Sequence, residues 1–386
     1  MRGCFDDFLR SYSPLIRNIL DNDERHEIQI LYTQVDRDSK NNPILNEYEY
    51  GVEAGNYFYP ASSIKLPAAL VALEKMAALS VPNLNRDTPL KIKISHNSQT
   101  AVDVDNSAHK GQPTLAHYIR KLFVVSDNDA YDRLYEWVGQ HCLNETLWAK
   151  GYLDIRLTHR LSQPMSLENN RYTNEFVFYV EDGEIFRQPS QFSKEIFSVT
   201  SPILKGVGEV VDGVFKKKPK DFSGLNMVSV RILQDLMKAV VMPECLPVDR
   251  RFAISPDDRR FLLKVMSMLP FECNYPIYDR SKYYDSYVKL PYLVTSPNDF
   301  YVASILITKP NFITKKTVKG DIKVIKNHIE KVQSYIELAK KEGGNISDDA
   351  INLRPAFSKA ATTRAVCRYP LEPSAHSRLF SLGALC

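Results

Sequence analysis

Ser62 and Lys65 form a Ser-x-x-Lys pair inside the run Tyr59-Pro60-Ala61-Ser62-Ser63-Ile64-Lys65-Leu66-Pro67. Apolar residues at helical spacing follow this pair, so the sequence predicts that Ser62 lies at a helix start, with Pro67 tolerated in the first turn. Residues three positions apart share a helix face, which brings the serine hydroxyl and the lysine amine within hydrogen-bond reach. Because a neutral amine can take the hydroxyl proton, the pair predicts an activated serine nucleophile.

A second polar motif, Ser126-Asp127-Asn128, follows in a break between two predicted helices. The first of these helices begins at Pro113-Thr114, and the second runs through Leu134 and Val138. A polar side chain at such a break can point into a cleft. The motif is therefore a candidate for contacts with the nucleophile and with a substrate.

The run around Ser62, followed by Val125-Ser126-Asp127-Asn128-Asp129-Ala130, resembles the class A serine β-lactamases and related serine hydrolases of the penicillin-binding-protein group. The resemblance covers roughly residues 20 to 340. It implies that Ser62 is the acylated nucleophile and Lys65 its proton partner. It also implies that Ser126 passes a proton to the leaving nitrogen and that Asn128 binds the acylamide side chain of the substrate. Asp127 is expected to be a structural hydrogen-bonding residue.

The chain departs from the family pattern in the loop that carries the deacylating carboxylate, an Arg-x-Glu motif. Arg160 matches, but Ser162 stands where the family has its glutamate, 36 residues after Ser126. Glu168 lies on the same loop and is the alternative carboxylate, while Arg171-Tyr172-Thr173 resembles the closing end of the loop. Without the family glutamate, we expect slow deacylation.

The third motif of the family, a Lys-x-Gly on a strand beside the nucleophile, is missing between the helix ending near Leu269 and the predicted closing helix. This interval has one predicted strand, Tyr301 to Thr308, where the family has three. The sequence therefore predicts that a segment of about 30 residues is absent here, together with a substrate-carboxylate ligand and one oxyanion donor.

The predicted fold is α/β: an antiparallel sheet flanked by terminal helices, with an inserted all-helical half. We expect a catalytic domain over 5–342, its helical half over about 61–270, and a disordered tail over 343–386. The predicted elements include an amphipathic helix over Phe5–Leu20, antiparallel strands around Ile28–Thr33 and Tyr48–Tyr50, a hairpin at Phe176–Phe178 with a turn at Asp182-Gly183, a helix starting at Ser255, and a closing helix over Ile322–Lys341. In the first strand, Ile28, Ile30 and Tyr32 are expected on the buried face.

Composition limits the other possibilities. The 386 residues are 44% hydrophobic with a net charge of +4, which favours a globular protein and gives no reason to expect a nucleic-acid partner. The lysines at 216–218 and 220 are expected in a solvated loop. Neither the six scattered cysteines nor the eight histidines show metal-ligand spacing, so the sequence predicts no metal ion. It has no glycine-rich loop, so it also predicts no redox or nucleotide cofactor. It also predicts a monomer with no membrane span.

The leading hypothesis is a serine hydrolase that forms an acyl-enzyme with a small-molecule β-lactam or a related amide or ester. The alternatives are a non-catalytic protein that binds penicillin-like or peptidoglycan-like ligands, and a D-Ala-D-Ala peptidase. The resemblance implies a periplasmic or secreted protein. Asp6 and Asp7 stand where an export signal has apolar residues, so the sequence itself predicts no signal peptide.

Overall fold

A computed structural model describes residues 2–12, 14–21, 28–40, 42–53, 55, 57, 59–197, 199, 201–206, 208–211 and 214–268, and the short segments 288–289, 292–294, 301–303 and 306–307. The chain divides into two compact units. The first contains residues 1–58, 202–222 and 285–386, and the second contains residues 59–201 and 223–284.

The helices, in chain order, are α1 (Arg2–Tyr12), α2 (Pro14–Asp21), α3 (Lys65–Leu79), α4 (Leu115–Val124), α5 (Asn128–Val138), α6 (Gln140–Ala149), α7 (Val230–Val241) and α8 (Pro256–Ser267). The strands are β1 (Ile30–Arg37), β2 (Pro43–Tyr50), β3 (Leu90–Lys93), β4 (Ile155–Arg156), β5 (Tyr172–Thr173), β6 (Glu175–Val180), β7 (Gly183–Gln188), β8 (Gln191–Phe192), β9 (Leu204–Lys205), β10 (Glu209–Val211), β11 (Val214–Lys216), β12 (Lys220–Asp221), β13 (Met227–Val228), β14 (Val288–Lys289), β15 (Tyr292–Val294), β16 (Tyr301–Ala303) and β17 (Leu306–Ile307).

In the first unit, β1 and β2 form an antiparallel pair in which Tyr32 lies opposite Tyr48. The predicted strand pairing is thus confirmed, but the predicted buried face of β1 is wrong. Leu31, Thr33 and Val35 are the buried residues of this strand. The other face is covered by α1, where the Phe5 ring stacks on Tyr32 with centroids 6.4 Å apart. Because both faces carry apolar residues, alternation alone could not show which one lies deeper.

The single predicted helix over Phe5–Leu20 is two helices in the structure. The second begins at Pro14, because proline lacks the backbone N–H that a helix interior needs but fits the first helical position. Elsewhere in this unit, β9 pairs with β12 and β10 with β11, both antiparallel. The lysines at 217, 218 and 220 are exposed, as expected for a solvated loop.

In the second unit, α3 is the central helix. It is apolar on nearly all sides, and Ala68, Ala69 and Leu70 have no exposed surface. A helix that is hydrophobic all round must be surrounded by other elements. Helices α4, α5 and α6 pack against it. This packing holds Lys65, the first residue of α3, and Ser62, three residues earlier, against the core of the unit.

The predicted helix starts are confirmed by side-chain caps. The side chain of Thr114 accepts from His117 N at α4, and that of Ser255 accepts from Asp258 N at α8. These caps satisfy backbone N–H groups that a helix start leaves without a partner. Helix α6 was not predicted separately. It follows α5 after Gly139, whose φ of +89° an L side chain rarely adopts.

The expectation of an all-helical half is corrected by a three-stranded antiparallel sheet of order β3-β6-β7 in the same stretch of chain. The β6–β7 hairpin was predicted, whereas β3 was not. In β3, Leu90 and Ile92 are buried opposite Phe178 and Phe176 of β6. The strands β4–β13 and β5–β8 also pair in this unit, and the protein belongs to the mixed α/β class as predicted.

Beyond residue 284, the described residues form the antiparallel pairs β14–β17 and β15–β16. The sequence analysis predicted one strand over Tyr301–Thr308, and the structure has two short strands within it, β16 and β17. Strands β14 and β15 were not predicted, because their two and three residues are too short to show alternation. The predicted closing helix over Ile322–Lys341 and the tail over 343–386 lie outside the described residues.

Candidate active site

Ser62 lies in a 3₁₀ turn, Ala61–Ile64, that leads directly into α3. Lys65 is the first residue of α3, and its backbone N–H donates to the carbonyl of Ser62. This local geometry places the two side chains one turn apart on the same face. Lys65 Nζ donates to Ser62 Oγ at 3.0 Å, as the Ser-x-x-Lys spacing predicted.

The second motif supplies the other partners of the Lys65 amine. Lys65 Nζ is 3.0 Å from Ser126 Oγ, 2.6 Å from the Ser126 carbonyl oxygen and 2.8 Å from Asn128 Oδ1. The Lys65 residue is only 2% exposed. The structure thus brings together all four predicted site residues, Ser62, Lys65, Ser126 and Asn128, around one buried amine.

Ser62, Lys65 and Ser126 form a nearly equilateral triangle of polar atoms. Ser126 Oγ donates to Ser62 Oγ at 3.0 Å, the same distance that separates Lys65 Nζ from each hydroxyl. Every pair is within hydrogen-bond distance, so a proton can pass between any two of these groups without rearrangement. This is the arrangement that an activated serine nucleophile requires.

Asp127 has the structural role that the sequence analysis expected. Its side chain accepts from Ala130 N at 2.8 Å and so caps α5. Because α5 begins at Asn128, the cap fixes both neighbours of Asp127, Ser126 on one side and Asn128 on the other. Ser126 itself has a φ of +54°, in the left-handed region that L residues occupy sparsely.

Asp132, which sequence reasoning missed, connects α5 to the loop that begins at Arg160. Its two carboxylate oxygens accept from Leu161 N at 2.6 Å and from Ser162 N at 3.1 Å. Burial raises the pKa of Asp132 to about 7, against the opposing effect of these two hydrogen bonds. The available signal was its position four residues after Asn128, one helical turn along the same face.

Arg160 anchors the same loop through a buried ion pair. Its Nε donates to Glu136 Oε1 at 2.8 Å, and Glu136 Oε2 accepts from Arg133 at 3.0 Å. Arg160 also donates to the carbonyl oxygen of Tyr172 at 2.9 Å, which joins the two ends of the loop. Asn128, Asp132 and Glu136 are spaced four residues apart. One face of α5 therefore contacts Lys65, the loop backbone and Arg160 in succession.

Ser162, which occupies the position of the family glutamate, and Glu168, the alternative carboxylate, both have exposed side chains. Ser162 is exposed and its backbone N–H is bound by Asp132, while the Glu168 side chain is 57% exposed and pairs with Arg171 at 2.6 Å. The Glu168 carboxylate is thus held by Arg171 in an ion pair at the protein surface.

Within the described residues, no cluster of three or more histidine, cysteine, aspartate or glutamate side chains is arranged to hold a metal ion. In the same part of the chain, no helix combines the length and apolar character needed to cross a membrane.

The chain was compared with known proteins. Residues 13–268 match the model of the β-lactamase enzyme family Beta-lactamase2. Among solved structures, the chromosome-encoded β-lactamase of Vibrio parahaemolyticus is 12% identical, covering 66% of this chain and 70% of its own, with a TM-score of 0.36. A β-lactamase from Xanthomonas campestris is also 12% identical, covering 67% and 70% respectively, with a TM-score of 0.35. No curated protein matches the chain. Since the family model covers more than half of the sequence, this protein belongs to the β-lactamase enzyme family.

Proposed function

We propose that this protein is a serine hydrolase that forms an acyl-enzyme at Ser62 with β-lactams or related amides and esters. The observation that supports this proposal best is the triangle of Ser62 Oγ, Lys65 Nζ and Ser126 Oγ, with every side at 3.0 Å. A serine hydroxyl is a poor nucleophile unless a neighbouring base removes its proton, and this triangle supplies both a base and a second proton carrier.

In the first step, Ser62 Oγ attacks the carbonyl carbon of the substrate while its proton passes to Lys65 in the neutral amine form. The developing negative charge on the carbonyl oxygen is stabilised by the backbone N–H of Ser62 near the start of α3. The amide C–N bond then breaks, and the leaving nitrogen takes a proton from Ser126, which regains one from Lys65. The product is an ester on Ser62, with the Lys65 amine neutral again.

In the second step, a water molecule attacks this ester and releases the acid, restoring the Ser62 hydroxyl. This step needs a base for the water, and Ser162 has no basicity near pH 7. We therefore propose that the acyl-enzyme persists and that deacylation limits turnover. The same residue favours a second candidate function, a penicillin-binding protein that captures its ligand without efficient hydrolysis.

The test uses a fluorescent penicillin, followed by mass spectrometry of the labelled peptide. We expect one label, on Ser62, with none in Ser62→Ala. Ser63→Ala is the matched control, since Ser63 Oγ donates to the Pro60 carbonyl at 2.6 Å and has no role in the triangle. Undiminished label in Ser62→Ala, or label on Ser63, would contradict the assignment.

Intact-mass spectrometry separates the two candidate functions. A hydrolase releases the opened product and returns to the mass of the free protein. A protein that only captures its ligand covalently keeps the added mass indefinitely. Absence of any adduct or turnover with the penicillin in the wild type would contradict acyl-enzyme formation with β-lactams.

A further inference from the structure

Lys121 is a buried lysine on α4 that the proposed chemistry does not use. Its Nζ lies 3.5 Å from Asp105 Oδ2 and 3.8 Å from Asp127 Oδ2, and its side chain is largely inaccessible to water. Its carbonyl oxygen accepts from Val125 N at 3.1 Å and from Asp127 N at 3.4 Å. Lys121 therefore contacts the turn that contains Ser126 in two ways. Its amine pairs with Asp127, and its backbone carbonyl accepts from the N–H groups of Val125 and Asp127.

The turn that Lys121 holds is conformationally costly. Ser126 has a positive φ, which is unfavourable for an L residue because Cβ crowds the following carbonyl. Such a conformation persists only where the surrounding structure determines it. Because the Ser126 carbonyl and hydroxyl both contact Lys65 Nζ, relaxation of this backbone would displace Ser126 Oγ from the triangle.

Asp105 gives Lys121 a fixed anchor. One carboxylate oxygen of Asp105 is 3.0 Å from His117 Nε2, and the other accepts from Ser107 N at 2.8 Å and from its hydroxyl at 2.5 Å. Although burial opposes ionisation, these hydrogen bonds lower the pKa of Asp105 below its usual range. Asp105 is thus an oriented carboxylate, and the Lys121 amine lies within ion-pair distance of both Asp105 and Asp127.

We propose that Lys121 is a positioning residue for the acylation step: its ammonium joins Asp105 to Asp127 and so keeps Ser126 in the conformation that completes the triangle with Ser62 and Lys65. This inference rests on the proposed function, since it assigns Lys121 to the same reaction. Without the ammonium, Asp127 loses its ion pair with Lys121, and Asp105 is left with His117 and Ser107 as its partners. The turn would then relax toward an ordinary backbone conformation.

The first measurement is the rate of acylation by a fluorescent penicillin in Lys121→Met, Lys121→Arg and a matched control, Lys150→Met. Lys150 is a half-buried lysine of the same unit that pairs with Glu74 at 2.8 Å. In Lys121→Met we expect the limiting acylation rate to fall about 10- to 100-fold, the scale of a displaced reacting group, with little change in apparent affinity for the probe. Lys121→Arg restores the charge and most of the rate, and Lys150→Met leaves the rate unchanged.

The second measurement, amide hydrogen exchange, does not depend on catalysis. Lys121→Met should speed exchange at residues 125–130, and Lys121→Arg should not. If the wild type is never acylated, the proposed function fails. Faster exchange in Lys121→Met that is confined to residues 125–130 would still show that Lys121 stabilises this turn. Unchanged exchange, or unchanged acylation in a folded Lys121→Met protein, overturns the inference.

A second variant covers the case in which Lys121→Met fails to fold. Adding Asp105→Asn removes the largely buried carboxylate that has lost its ion pair with Lys121, so the double variant should fold and show the same loss of acylation rate. If the double variant also fails to fold, the pair of Lys121 and Asp105 is required for folding and the assignment of Lys121 as a positioning residue is wrong.

Discussion

Lys65 and Lys75 lie on the same helix, α3, and both amines donate to carbonyl oxygens, but serine hydroxyls lie beside the Lys65 amine. Lys65 Nζ contacts the hydroxyls of Ser62 and Ser126 in addition to the Ser126 carbonyl, whereas Lys75 Nζ donates to the carbonyl oxygens of Trp137 at 2.8 Å and Val138 at 3.1 Å. These two carbonyls belong to the last turn of α5, where a helix lacks donors. Lys65 is therefore placed to transfer a proton, while Lys75 supplies the donor that the last carbonyls of α5 lack.

Substituting the two lysines should therefore separate chemistry from stability. Lys65→Ala is expected to slow acylation by a fluorescent penicillin about 100- to 10,000-fold, the usual effect of losing a general base. Lys75→Ala should retain labelling but lose about 1–3 kcal/mol of unfolding free energy, since two carbonyls lose a charged donor. Urea denaturation and circular dichroism give the stability of both. If Lys65→Ala is unfolded, Lys65 is a structural residue and the proposed role is wrong.

A glutamate at position 162 is predicted to speed deacylation. In the wild type, nitrocefin turnover should be slow and the acyl adduct should accumulate. Ser162→Glu supplies a carboxylate at the residue whose N–H Asp132 fixes, and a general base there is worth about 100-fold or more. Progress curves with intact-mass detection measure turnover and adduct together.

Two controls accompany this experiment. Ser166→Glu adds the same charge at an exposed position of the same loop and should leave turnover slow. Fast wild-type turnover without adduct, abolished in Glu168→Gln, would show instead that Glu168 serves the water despite its ion pair with Arg171.

Glu136 should be far more important for stability than Glu168, although each carboxylate pairs with arginine. Glu136 is almost completely buried between Arg160 and Arg133. Glu136→Gln leaves the buried Arg160 guanidinium without its partner carboxylate, while Arg133 keeps its pair with Asp129, and the expected cost is about 3–5 kcal/mol. The exposed pair of Glu168 with Arg171 is worth about 1 kcal/mol or less. Equal losses for Glu136→Gln and Glu168→Gln in urea denaturation would contradict this ranking.

Asp132 should make stability depend on pH in the neutral range. Its pKa is raised from 3.8 to about 7 by burial, so the folded protein holds this proton more tightly than the unfolded chain. Between these two values the folded state binds more protons, and the contribution of Asp132 to the unfolding free energy therefore falls as the pH rises. The fall from pH 5 to pH 8 is on the order of 2 kcal/mol.

The measurement is the unfolding free energy of the wild type and of Asp132→Asn, each determined by urea denaturation at pH 5 and at pH 8. Other groups titrate in both proteins, so the difference between the two pH dependences isolates Asp132. The nearby charges, Glu136 and Arg160, remain in place in the variant. An identical pH dependence in both proteins would show that Asp132 does not titrate in this range.

Local patterns predicted only part of the candidate site. The Ser-x-x-Lys spacing determined the contact between Ser62 and Lys65, and helix-start signals placed Ser126 and Asn128 between two helices. These inferences needed only residues close in sequence. The resemblance to a known family then assigned the two motifs to one site.

Contacts between distant residues could not be predicted in the same way. The pairing of Arg160 with Glu136 and the binding of the Leu161 and Ser162 N–H groups by Asp132 join segments that are far apart in sequence. The four-residue spacing of Asn128, Asp132 and Glu136 indicates a shared helix face, but it does not show which distant groups that face contacts. Likewise, β3 has only four residues, too few to stand out before its partner β6 is known.

Trp137 provides an intrinsic fluorescence signal for α5, the helix that begins at Asn128 in the second motif. It is one of two tryptophans, has no exposed surface, and lies edge-on to Phe176 and Phe178 with ring centroids 5.6 and 5.0 Å away. An indole shielded from water emits at shorter wavelength than a hydrated one. Because Trp137 lies on α5, its emission in a Trp148→Phe background would follow, without any label, whether the helix carrying Asn128 remains docked on the sheet.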